Sequence, residues 1–583
     1  MIMHMLSLWN QARPLCIKKS FLWVTLSIFL STGLVAQNLL SPIWKISFAD
    51  TSETNLNQID PANWKDVNLL LSWERQDYFW LDGNGCIVND FSVPAGFAGS
   101  QFTLTMSLQC DVKSIYVNGK WIGGKLPNQF WSNRGAKTEF TLPDDCLLVG
   151  KQNRIAVFVS NLSYTGGISY NVCSITPTRT TSKSEVEIVI PAQDHLYLAE
   201  HANSFTIRYN AEQKGSITLS IGNDFHQSFV QNEYQVKKGK GQIQFDFGDV
   251  ITEPGFYECI VIMNDGGYSS DVAWFALSPE KIECGNQTVS QFKAYWDKTL
   301  AELGQVQPEF KLIKMDNLCS DSRDGYIAEM RSFGGLIIRG YYFVPKSAGK
   351  HAAILHVPGY GQGYQDRRAF LENRDDVIEL ALCVRGHGIS ADVFNPGFGV
   401  PGVWGYKLCS ETEIAYRAIY MDCVQAVEFL LSRPEVDGSR IGVMGGSQGG
   451  GLTLATAGLC SDHIKACSYF DPGPCDPRDH LKIRELCKRE FINFLEFYNN
   501  ECTLEDALNV WDLIDTKGFA EQIKCPTFFV TSLFDDDIPP HLGFAAYNQI
   551  AAPKHFKIYP ELGHLNDKAF EVQMQFLKDQ LGF

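Results

Sequence analysis

The chain has 583 residues, which is enough for about three or four domains of ordinary size. Hydrophobic residues make up 45% of it and charged residues 20%, the proportions of an ordinary globular protein. Its formal net charge of −16 argues against nucleic acid or an anionic membrane surface as a partner.

The first 36 residues differ from the rest in composition. Arg13, Lys18 and Lys19 precede an apolar run over 21–35 that ends at Ala36. A charged start, an apolar centre and a small residue at the end are typical of an export signal. The run is shorter than the roughly 20 residues that cross a bilayer, which favours cleavage after Ala36 over an uncleaved anchor. The sequence therefore predicts a signal peptide over 1–36 and an exported protein, periplasmic or secreted, without stable membrane insertion after cleavage.

Short alternating strands with little helix fill the range 37–180. Asn118 and Gly119 give the strongest hairpin signal in the chain, because this pair suits the positive φ angles of a type I′ turn. The runs 115–120 and 147–157 resemble the sugar-binding-like domain at the front of family-2 glycosidases. That resemblance implies a galactose-binding-like β jelly roll over 37–180, whose role is either structural or contact with carbohydrate.

The range 181–280 is again rich in strands. About seven predicted strands in such a short stretch are typical of an immunoglobulin-like β-sandwich. We expect this domain to act as a spacer, with a binding role as the alternative.

Helices and strands alternate from residue 281 onward. The pattern predicts helices at 292–300 and 412–432 and strands at 336–343, 352–356, 377–383 and 441–444. Such alternation indicates a doubly wound, mostly parallel sheet. The predicted fold is therefore multidomain, with two N-terminal all-β sandwich domains followed by an α/β-hydrolase domain over 281–583.

A G-x-S-x-G motif over 445–449 places Ser447 between a predicted strand and a helix of small residues. Glycines flank the serine in such motifs because the backbone is strained and the helix packs close to the strand. The turn exposes the hydroxyl above the sheet and directs the helix N-terminus towards it. The motif predicts Ser447 as the nucleophile of an acyl-transferring hydrolase.

An acid and a base follow this motif in the order that α/β-hydrolases use. One apolar strand leads into three acids, Asp535, Asp536 and Asp537. A later strand, over 556–559, leads into a loop that contains His564. Parallel strands end at one edge of a sheet, so these side chains are expected to meet Ser447 there. His564 would then take the serine proton while an aspartate orients the imidazole. The first acid after the strand is the natural choice, but the residue pattern alone does not decide among the three.

The range from about 285 to 583 resembles the acetyl xylan esterase and cephalosporin-C deacetylase family, carbohydrate esterase family seven. The shared segments are Arg-Gly-His-Gly at 385–388, Gly-Gly-Ser-Gln-Gly-Gly-Gly at 445–451, Asp535 with the Pro-Pro pair at 539–540, Phe-Ala-Ala-Tyr-Asn at 544–548, and Gly-His at 563–564. The resemblance implies that Asp535 is the acid, since the family's aspartate lies four residues before the paired prolines. It implies two oxyanion donors, the backbone N–H groups of Gln448 and of Tyr360, and it implies neither a metal ion nor a cofactor.

Two positions depart from the family pattern. The family usually has glutamine where His387 stands, and its loop differs from residues 389–411. His387 and Pro539 are candidate residues of the substrate pocket. Single-domain relatives tend to form hexamers, but two β domains in front of the hydrolase would obstruct that packing, so the oligomeric state is left open.

The predicted function is that of an exported carbohydrate esterase that removes acetyl or similar small acyl groups from sugars and polysaccharides. The predicted partner is thus an acetylated carbohydrate substrate. A prolyl-oligopeptidase-type serine peptidase is the first alternative, although no acidic motif for a peptide amino terminus is evident. A non-catalytic glycan-binding protein is the second, against which the intact Ser447, Asp535 and His564 argue.

Seventeen cysteines are scattered without C-x-x-C pairing or zinc-like spacing. We expect most of them to be free thiols that pack as small buried hydrophobic residues.

Overall fold

The computed structural model describes residues 39–583 with internal gaps. The gaps are residues 42, 49–58, 70–82, 98, 107–110, 127–137, 162–172, 178–183, 200–202, 266–267, 285–287, 362–374, 395–402, 498–501 and 565. The predicted leader over 1–36 therefore lies outside the described residues. Within the described part, no helix combines the length and the apolar character needed to cross a membrane.

Among the residues described in the front part of the chain, nine strands form two sheets. They are β1 (Ile43–Ser47), β2 (Lys65–Asn68), β3 (Gly83–Ser92), β4 (Phe102–Met106), β5 (Asp111–Val117), β6 (Lys120–Leu126), β7 (Thr138–Leu142), β8 (Gln152–Asn161) and β9 (Ser174–Pro177). The sheet orders are β2-β1-β3-β8-β5-β6 and β7-β4-β9, with antiparallel neighbours throughout. Alternate residues of these strands, such as Trp44, Leu104 and Ile155, point inward and share one buried apolar cluster. Asn118 and Gly119 have φ angles of 49° and 80° and join β5 to β6 as a hairpin, as their pattern predicts.

Eight further strands form a second pair of sheets. They are β10 (Glu185–Val189), β11 (Leu196–Tyr197), β12 (Ser204–Ala211), β13 (Gly215–Asn223), β14 (Ser228–Val236), β15 (Gly239–Asp246), β16 (Gly255–Asn264) and β17 (Tyr268–Leu277). The orders are β10-β12-β15 and β11-β17-β16-β13-β14. Phe205, Phe247, Tyr257 and Phe275 belong to one buried cluster of this pair of sheets. We refer to these two sheets as the second sandwich.

A nine-stranded sheet carries the remainder of the chain. Its strands are β18 (Lys311–Lys314), β19 (Arg323–Arg331), β20 (Ile337–Pro345), β21 (His351–His356), β22 (Val377–Cys383), β23 (Val436–Gly446), β24 (Ile464–Phe470), β25 (Thr527–Ser532) and β26 (Lys554–Tyr559). The order is β18-β19-β20-β22-β21-β23-β24-β25-β26. Strands β18 to β20 pair antiparallel, whereas the neighbours from β22 to β26 are parallel. The predicted, mostly parallel sheet is therefore present, with an antiparallel extension at one edge.

Helices flank this sheet. They are α1 (Phe292–Leu303), α2 (Ala415–Leu431), α3 (Gln448–Leu459), α4 (Pro477–Ile483), α5 (Glu485–Phe497), α6 (Leu504–Trp511), α7 (Thr516–Ala520), α8 (Pro540–Tyr547) and α9 (Asp567–Leu581). All seven residues of β22 are buried, as expected for a strand covered on both faces. The described sheets fall inside the three predicted ranges, and the domain boundaries themselves stay predictions.

The cysteines are mostly free thiols, with one exception among the described residues. Cys409 and Cys502 form a disulfide across a sequence separation of 93 residues. Thirteen other described cysteines are free, and eleven of those are buried. The scattered spacing of the sequence carried no signal for the bonded pair.

Candidate active site

Ser447 lies in the tight turn between β23 and α3. Its φ of 58° and ψ of −127° are unusual for a residue with a side chain, and such a backbone costs of order 1–3 kcal/mol. Two backbone hydrogen bonds hold the turn: Ser447 N–H donates to Phe470 O over 3.0 Å, and Gly473 N–H donates to Ser447 O over 3.0 Å. A strained serine between a buried strand and a helix has the form of a nucleophile elbow.

The glycines of the motif allow α3 to lie against the strands. A Cβ atom on Gly449 would stand 2.5 Å from Val357 O, and one on Gly445 would stand 2.6 Å from Gly449 O. Both distances are shorter than real Cβ atoms allow, and the neighbouring atoms are backbone. These two positions therefore require glycine, and the helix N-terminus is thereby brought next to Ser447.

The three side chains predicted to act together lie within hydrogen-bond distance. His564 Nε2 is 3.0 Å from Ser447 Oγ, and His564 Nδ1 is 2.7 Å from Asp535 Oδ2. The second carboxylate oxygen, Asp535 Oδ1, accepts hydrogen bonds from the backbone N–H groups of Asp537 and Ile538, each over 2.9 Å. This geometry allows the imidazole to accept the serine proton while the buried carboxylate fixes its orientation.

The charges around the imidazole favour its protonated form. Burial lowers the pKa of His564, but the carboxylates of Asp535 and then Asp537 outweigh burial and raise it to about 9. A proton on His564 is therefore stabilised.

The three acids that follow β25 occupy different positions in the structure. Asp535 contacts the Nδ1 side of His564, whereas Asp537 Oδ2 lies 3.7 Å from Nε2 on the other side of the ring. Asp536 is half-buried between them in the chain. Two carboxylates thus face the two nitrogens of one histidine, which the sequence analysis did not foresee.

A further acid, Asp471, lies behind Asp535 and was missed by the sequence analysis. It follows β24 directly, beside the strand that leads to Asp535. Burial, followed by the charge of Asp535, raises the pKa of Asp471 well above its usual range. These surroundings therefore favour the protonated, neutral form of Asp471. Its position after a central parallel strand was the one signal that could have identified it.

The two predicted oxyanion donors, Gln448 and Tyr360, lie on segments that are joined by a hydrogen bond. Gln448 is the first residue of α3, and its Nε2 donates to Pro358 O over 3.3 Å and to His387 Nε2 over 2.9 Å. Its Oε1 accepts from the hydroxyl of Tyr416 over 3.0 Å. These contacts tie the loop that carries Tyr360 to the elbow. The roles of the two backbone N–H groups stay predictions.

His387 and Pro539 are both buried, so neither presents a large exposed surface. His387 Nδ1 donates to Arg385 O over 3.1 Å, which leaves Nε2 as the acceptor for Gln448. Burial lowers the pKa of His387 to about 4, so the ring is neutral. Through this hydrogen bond, the His387 ring holds the side chain of Gln448 in place. Pro539 lies directly before α8, and the place of both residues in a substrate pocket stays a prediction.

Aromatic side chains adjoin the Tyr360 loop on its other side. The backbone N–H of Trp404 donates a hydrogen bond to the Tyr360 hydroxyl over 3.4 Å. The Trp404 ring packs edge-on against Tyr416, Phe491 and Trp511, with centroid distances of 4.6 to 6.3 Å. Trp404 belongs to the loop over 389–411 that departs from the family pattern, and parts of that loop lie outside the described residues.

One cluster outside the triad has the spacing of a metal site. Ligand atoms of Asp476, Asp479 and His541 lie within 4.8 Å of one another. Lys517 Nζ is 3.2 Å from Asp476 Oδ1, and Lys482 Nζ is 2.7 Å from Asp479 Oδ1. Because the carboxylates already face cations of the chain, we interpret this cluster as an ion-pair network.

A model of one protein family matches just over half of this chain. The family model described as acetyl xylan esterase (AXE1) matches residues 275–580. Acetyl esterase Axe7A of Xylanibacter ruminicola is 27% identical over 384 residues, which cover 64% of this chain and 84% of that protein. This aligned length exceeds the span of the family match, so the relative also matches part of the chain before residue 275.

Two solved structures are each similar to about half of this chain. The acetyl xylan esterase from Paenibacillus sp. R4 is 29% identical with a TM-score of 0.47, covering 52% of this chain and 98% of that chain. Acetyl xylan esterase 1 from Thermoanaerobacterium sp. JW/SL YS485 is 27% identical with a TM-score of 0.46, covering 52% of this chain and 97% of that chain.

Proposed function

This chain belongs to the acetyl xylan esterase (AXE1) family and is a serine carboxylic-ester hydrolase, and from that premise we propose that it removes acetyl groups from acetylated sugars or polysaccharides. The proposal extends to similarly small acyl groups. The observation that carries it is the hydrogen-bonded chain from Ser447 Oγ through His564 to Asp535, with distances of 3.0 and 2.7 Å.

The proposed reaction has two halves. Ser447 Oγ attacks the ester carbonyl carbon while its proton passes to His564 Nε2. The tetrahedral intermediate then collapses, the bond to the sugar oxygen breaks, and His564 returns the proton to that oxygen. Water next attacks the acyl-serine, His564 takes one of its protons, and acetate leaves as Ser447 regains a proton. No metal ion or cofactor is needed for these steps.

Negative charge develops on the carbonyl oxygen in both halves. We propose that the backbone N–H groups of Gln448 and Tyr360 donate hydrogen bonds to it. Each such donor is worth about 3 kcal/mol of transition-state stabilisation. The contact of Gln448 with Pro358 supports this role, because it fixes the loop that carries Tyr360 beside the elbow.

The first test replaces the nucleophile. We expect Ser447→Ala to lower kcat for p-nitrophenyl acetate by at least about 10⁴-fold, because the acyl-enzyme can no longer form. Ser468→Ala is the matched control, since Ser468 is buried on the adjacent strand β24 and its hydroxyl bonds Phe528 O. Undiminished turnover in Ser447→Ala would show that the triad assignment is wrong.

A second assay separates the esterase from the peptidase alternative. An aminoacyl p-nitroanilide should be hydrolysed far more slowly than p-nitrophenyl acetate. Acetate release from a panel of acetylated polysaccharides then identifies the natural class of substrate. Efficient anilide cleavage with poor acetate release would favour a peptidase.

The front pair of sheets is proposed to be the galactose-binding-like jelly roll, with carbohydrate contact as a candidate role. A cleft of about 610 Å³ on its outer surface is lined by residues that include Tyr116, Gln152 and Arg154. The exposed ring of Trp121 pairs across β5–β6 with Tyr116. However, the Arg154 guanidinium is already paired with Asp90.

Affinity electrophoresis on xylan gels tests whether this face binds carbohydrate. It compares Ser447→Ala with the double variant that also carries Trp121→Ala, and equal migration of both proteins would exclude the Trp121 face as a binding site.

A further inference from the structure

The Nε2 atom of His564 has a second carboxylate beside it. Asp537 Oδ2 lies 3.7 Å from this nitrogen, which is also 3.0 Å from Ser447 Oγ. Burial raises the pKa of Asp537, but the charges of Arg484 and His564 outweigh burial and hold the pKa below its usual value. The carboxylate is therefore ionised and faces the nitrogen that gains a proton during catalysis.

Asp537 is held in place by α4 and the residue that follows it. The Arg484 guanidinium pairs with the Asp537 carboxylate and also donates to Asp537 O over 3.1 Å. His480 Nε2 lies 3.0 Å from the same carbonyl oxygen and donates to it. Since His480 and Arg484 are both anchored to α4, the position of this helix sets the position of Asp537.

The second sandwich contacts α4 through the turn between β13 and β14. His226 Nε2 donates to Ile483 O over 2.8 Å, directly before Arg484. The backbone of His226 has a φ of 63°, so the turn directs this ring towards the helix in a constrained conformation. One hydrogen bond thus links the second sandwich to Ile483, the residue directly before Arg484, which pairs with Asp537.

The same turn also holds α8, which begins shortly after Asp537. Asp224 Oδ2 is 3.1 Å from His541 Nδ1, and the Phe225 ring packs edge-on against the His541 ring at 5.0 Å. His541 Nε2 in turn faces Asp479 of α4 over 3.8 Å. The turn over 223–227 therefore contacts both α4 and α8, the helices that lie beside the loop carrying Asp537.

We propose that the second sandwich is a positioning element of the active site, whose 223–227 turn acts through α4 and Arg484 to hold Asp537 beside the reacting nitrogen of His564. The inference rests on the proposed function, because it concerns the same triad. A spacer that merely separates two domains would have no such effect on the chemistry.

The expected signature is a change in the pH dependence of the reaction. The charged and titratable groups around His564 are Asp535, Asp537 and Arg484, with Asp471 behind Asp535 and His480 behind Asp537. Removing or displacing the Asp537 charge lowers the pKa of His564 and weakens the stabilisation of the imidazolium. The acid limb of the pH profile of kcat/KM then moves to lower pH, and its plateau falls.

The experiment compares three variants of the full chain. Asp537→Asn should move the acid limb down by about one pH unit and lower the plateau about tenfold. His226→Asn keeps a residue that tolerates positive φ but is too short to reach Ile483 O, and it should shift the limb in the same direction by a smaller amount. On the Asp537→Asn background, His226→Asn should have no further effect, because both changes act on one contact.

Asp194→Asn is the matched control. It breaks another contact between the second sandwich and the hydrolase sheet, the pair of Lys557 Nζ with both Asp194 oxygens at 2.8 Å, which lies on the edge strand β26. Its pH profile should match that of the unaltered protein. A His226→Asn profile that equals that of Asp194→Asn, or effects of His226 and Asp537 that simply add, would overturn the proposal.

A readout that needs no ester substrate separates this inference from the proposed function. The rate of covalent labelling of Ser447 by phenylmethylsulfonyl fluoride, followed by intact mass against pH, reports the reactivity of the serine and histidine alone. A labelling limb that moves in Asp537→Asn and His226→Asn supports the inference even if no acetyl ester is cleaved. A labelling limb that stays fixed in both variants contradicts it, whatever the substrate is.

Discussion

Asp471 and Asp535 are two neighbouring carboxyl groups with different surroundings. Asp535 accepts two backbone N–H bonds and faces His564, whereas Asp471 is buried beside the Asp535 charge. Burial and the Asp535 charge therefore raise the pKa of Asp471, which favours a neutral group over a second negative charge beside Asp535.

This difference predicts opposite responses to the same substitution. The raised pKa of Asp471 favours its neutral form, which Asp471→Asn mimics with an amide of similar shape, so kcat/KM should stay within about threefold of the unaltered value. Asp535→Asn removes the charge that orients the imidazole and should lower kcat by about 10⁴-fold. Hydrolysis of p-nitrophenyl acetate measures both. A loss in Asp471→Asn as large as that in Asp535→Asn would show that Asp471 is ionised.

His387 gives a second prediction at the residue scale. Its neutral Nε2 accepts a hydrogen bond from Gln448, and a glutamine carbonyl oxygen could accept the same bond. His387→Gln should therefore keep kcat/KM within about threefold. His387→Leu leaves Gln448 Nε2 with Pro358 O alone and should lower kcat by about tenfold, because the loop beside the elbow loosens. Equal activity of the two variants in the same assay would show that the bond to Gln448 has no role.

At the scale of elements, the contact of the 223–227 turn with α8 is expected to depend on pH. Burial lowers the pKa of His541, but Asp224 and then Asp479 outweigh burial and raise it to about 9. A raised pKa means that the pair stabilises the folded state fully below about pH 6.5 and that this contribution is lost as the pH rises through about 9.

Asp224→Asn tests whether the stabilisation from this pair is lost as the pH rises. It should lower Tm by about 3 °C at pH 6 and have little effect at pH 10, where His541 is already neutral. Asp194→Asn breaks a pair with a lysine instead of a histidine, so its effect on Tm should be similar at both pH values. Differential scanning calorimetry of the two variants measures the contrast. A loss of Tm in Asp224→Asn that is the same at pH 6 and pH 10 would mean that His541 does not change its protonation state between these values.

Elements built from neighbouring residues were easier to predict than contacts between residues that lie far apart in the sequence. The strand, elbow and helix around Ser447 follow from local glycine spacing, and the ends of parallel strands bring Asp535 and His564 to the same edge. By contrast, His226 and Ile483 are 257 residues apart, and Asp224 and His541 are 317 residues apart. Nothing local marks such pairs, and the same holds for the disulfide between Cys409 and Cys502.

At the scale of the whole molecule, cleavage of the predicted leader over 1–36 would place the protein outside the cytoplasm. The proposed substrate, an acetylated polysaccharide, is too large to enter a cell, so export would suit the proposed function. Expression of the full chain with its own leader should yield a protein whose N-terminal residue is Gln37, because cleavage is expected after Ala36. Intact mass and Edman sequencing of the exported fraction measure this. A product that retains residues 1–36 and sediments with the membrane would indicate an anchor.

The second sandwich and the hydrolase sheet share more than polar contacts. Phe256 of β16 and Ala276 of β17 belong to the same buried apolar cluster as the helices around the sheet, and the Phe256 ring lies 5.7 Å from that of Phe544 on α8. A gene fragment cut at residue 281 would expose this apolar surface to water. The block that recombination could move between proteins, or that an engineer could graft, is therefore residues 185–583 taken together. Exchanging the second sandwich for that of a relative would require matching substitutions on the other side of the junction.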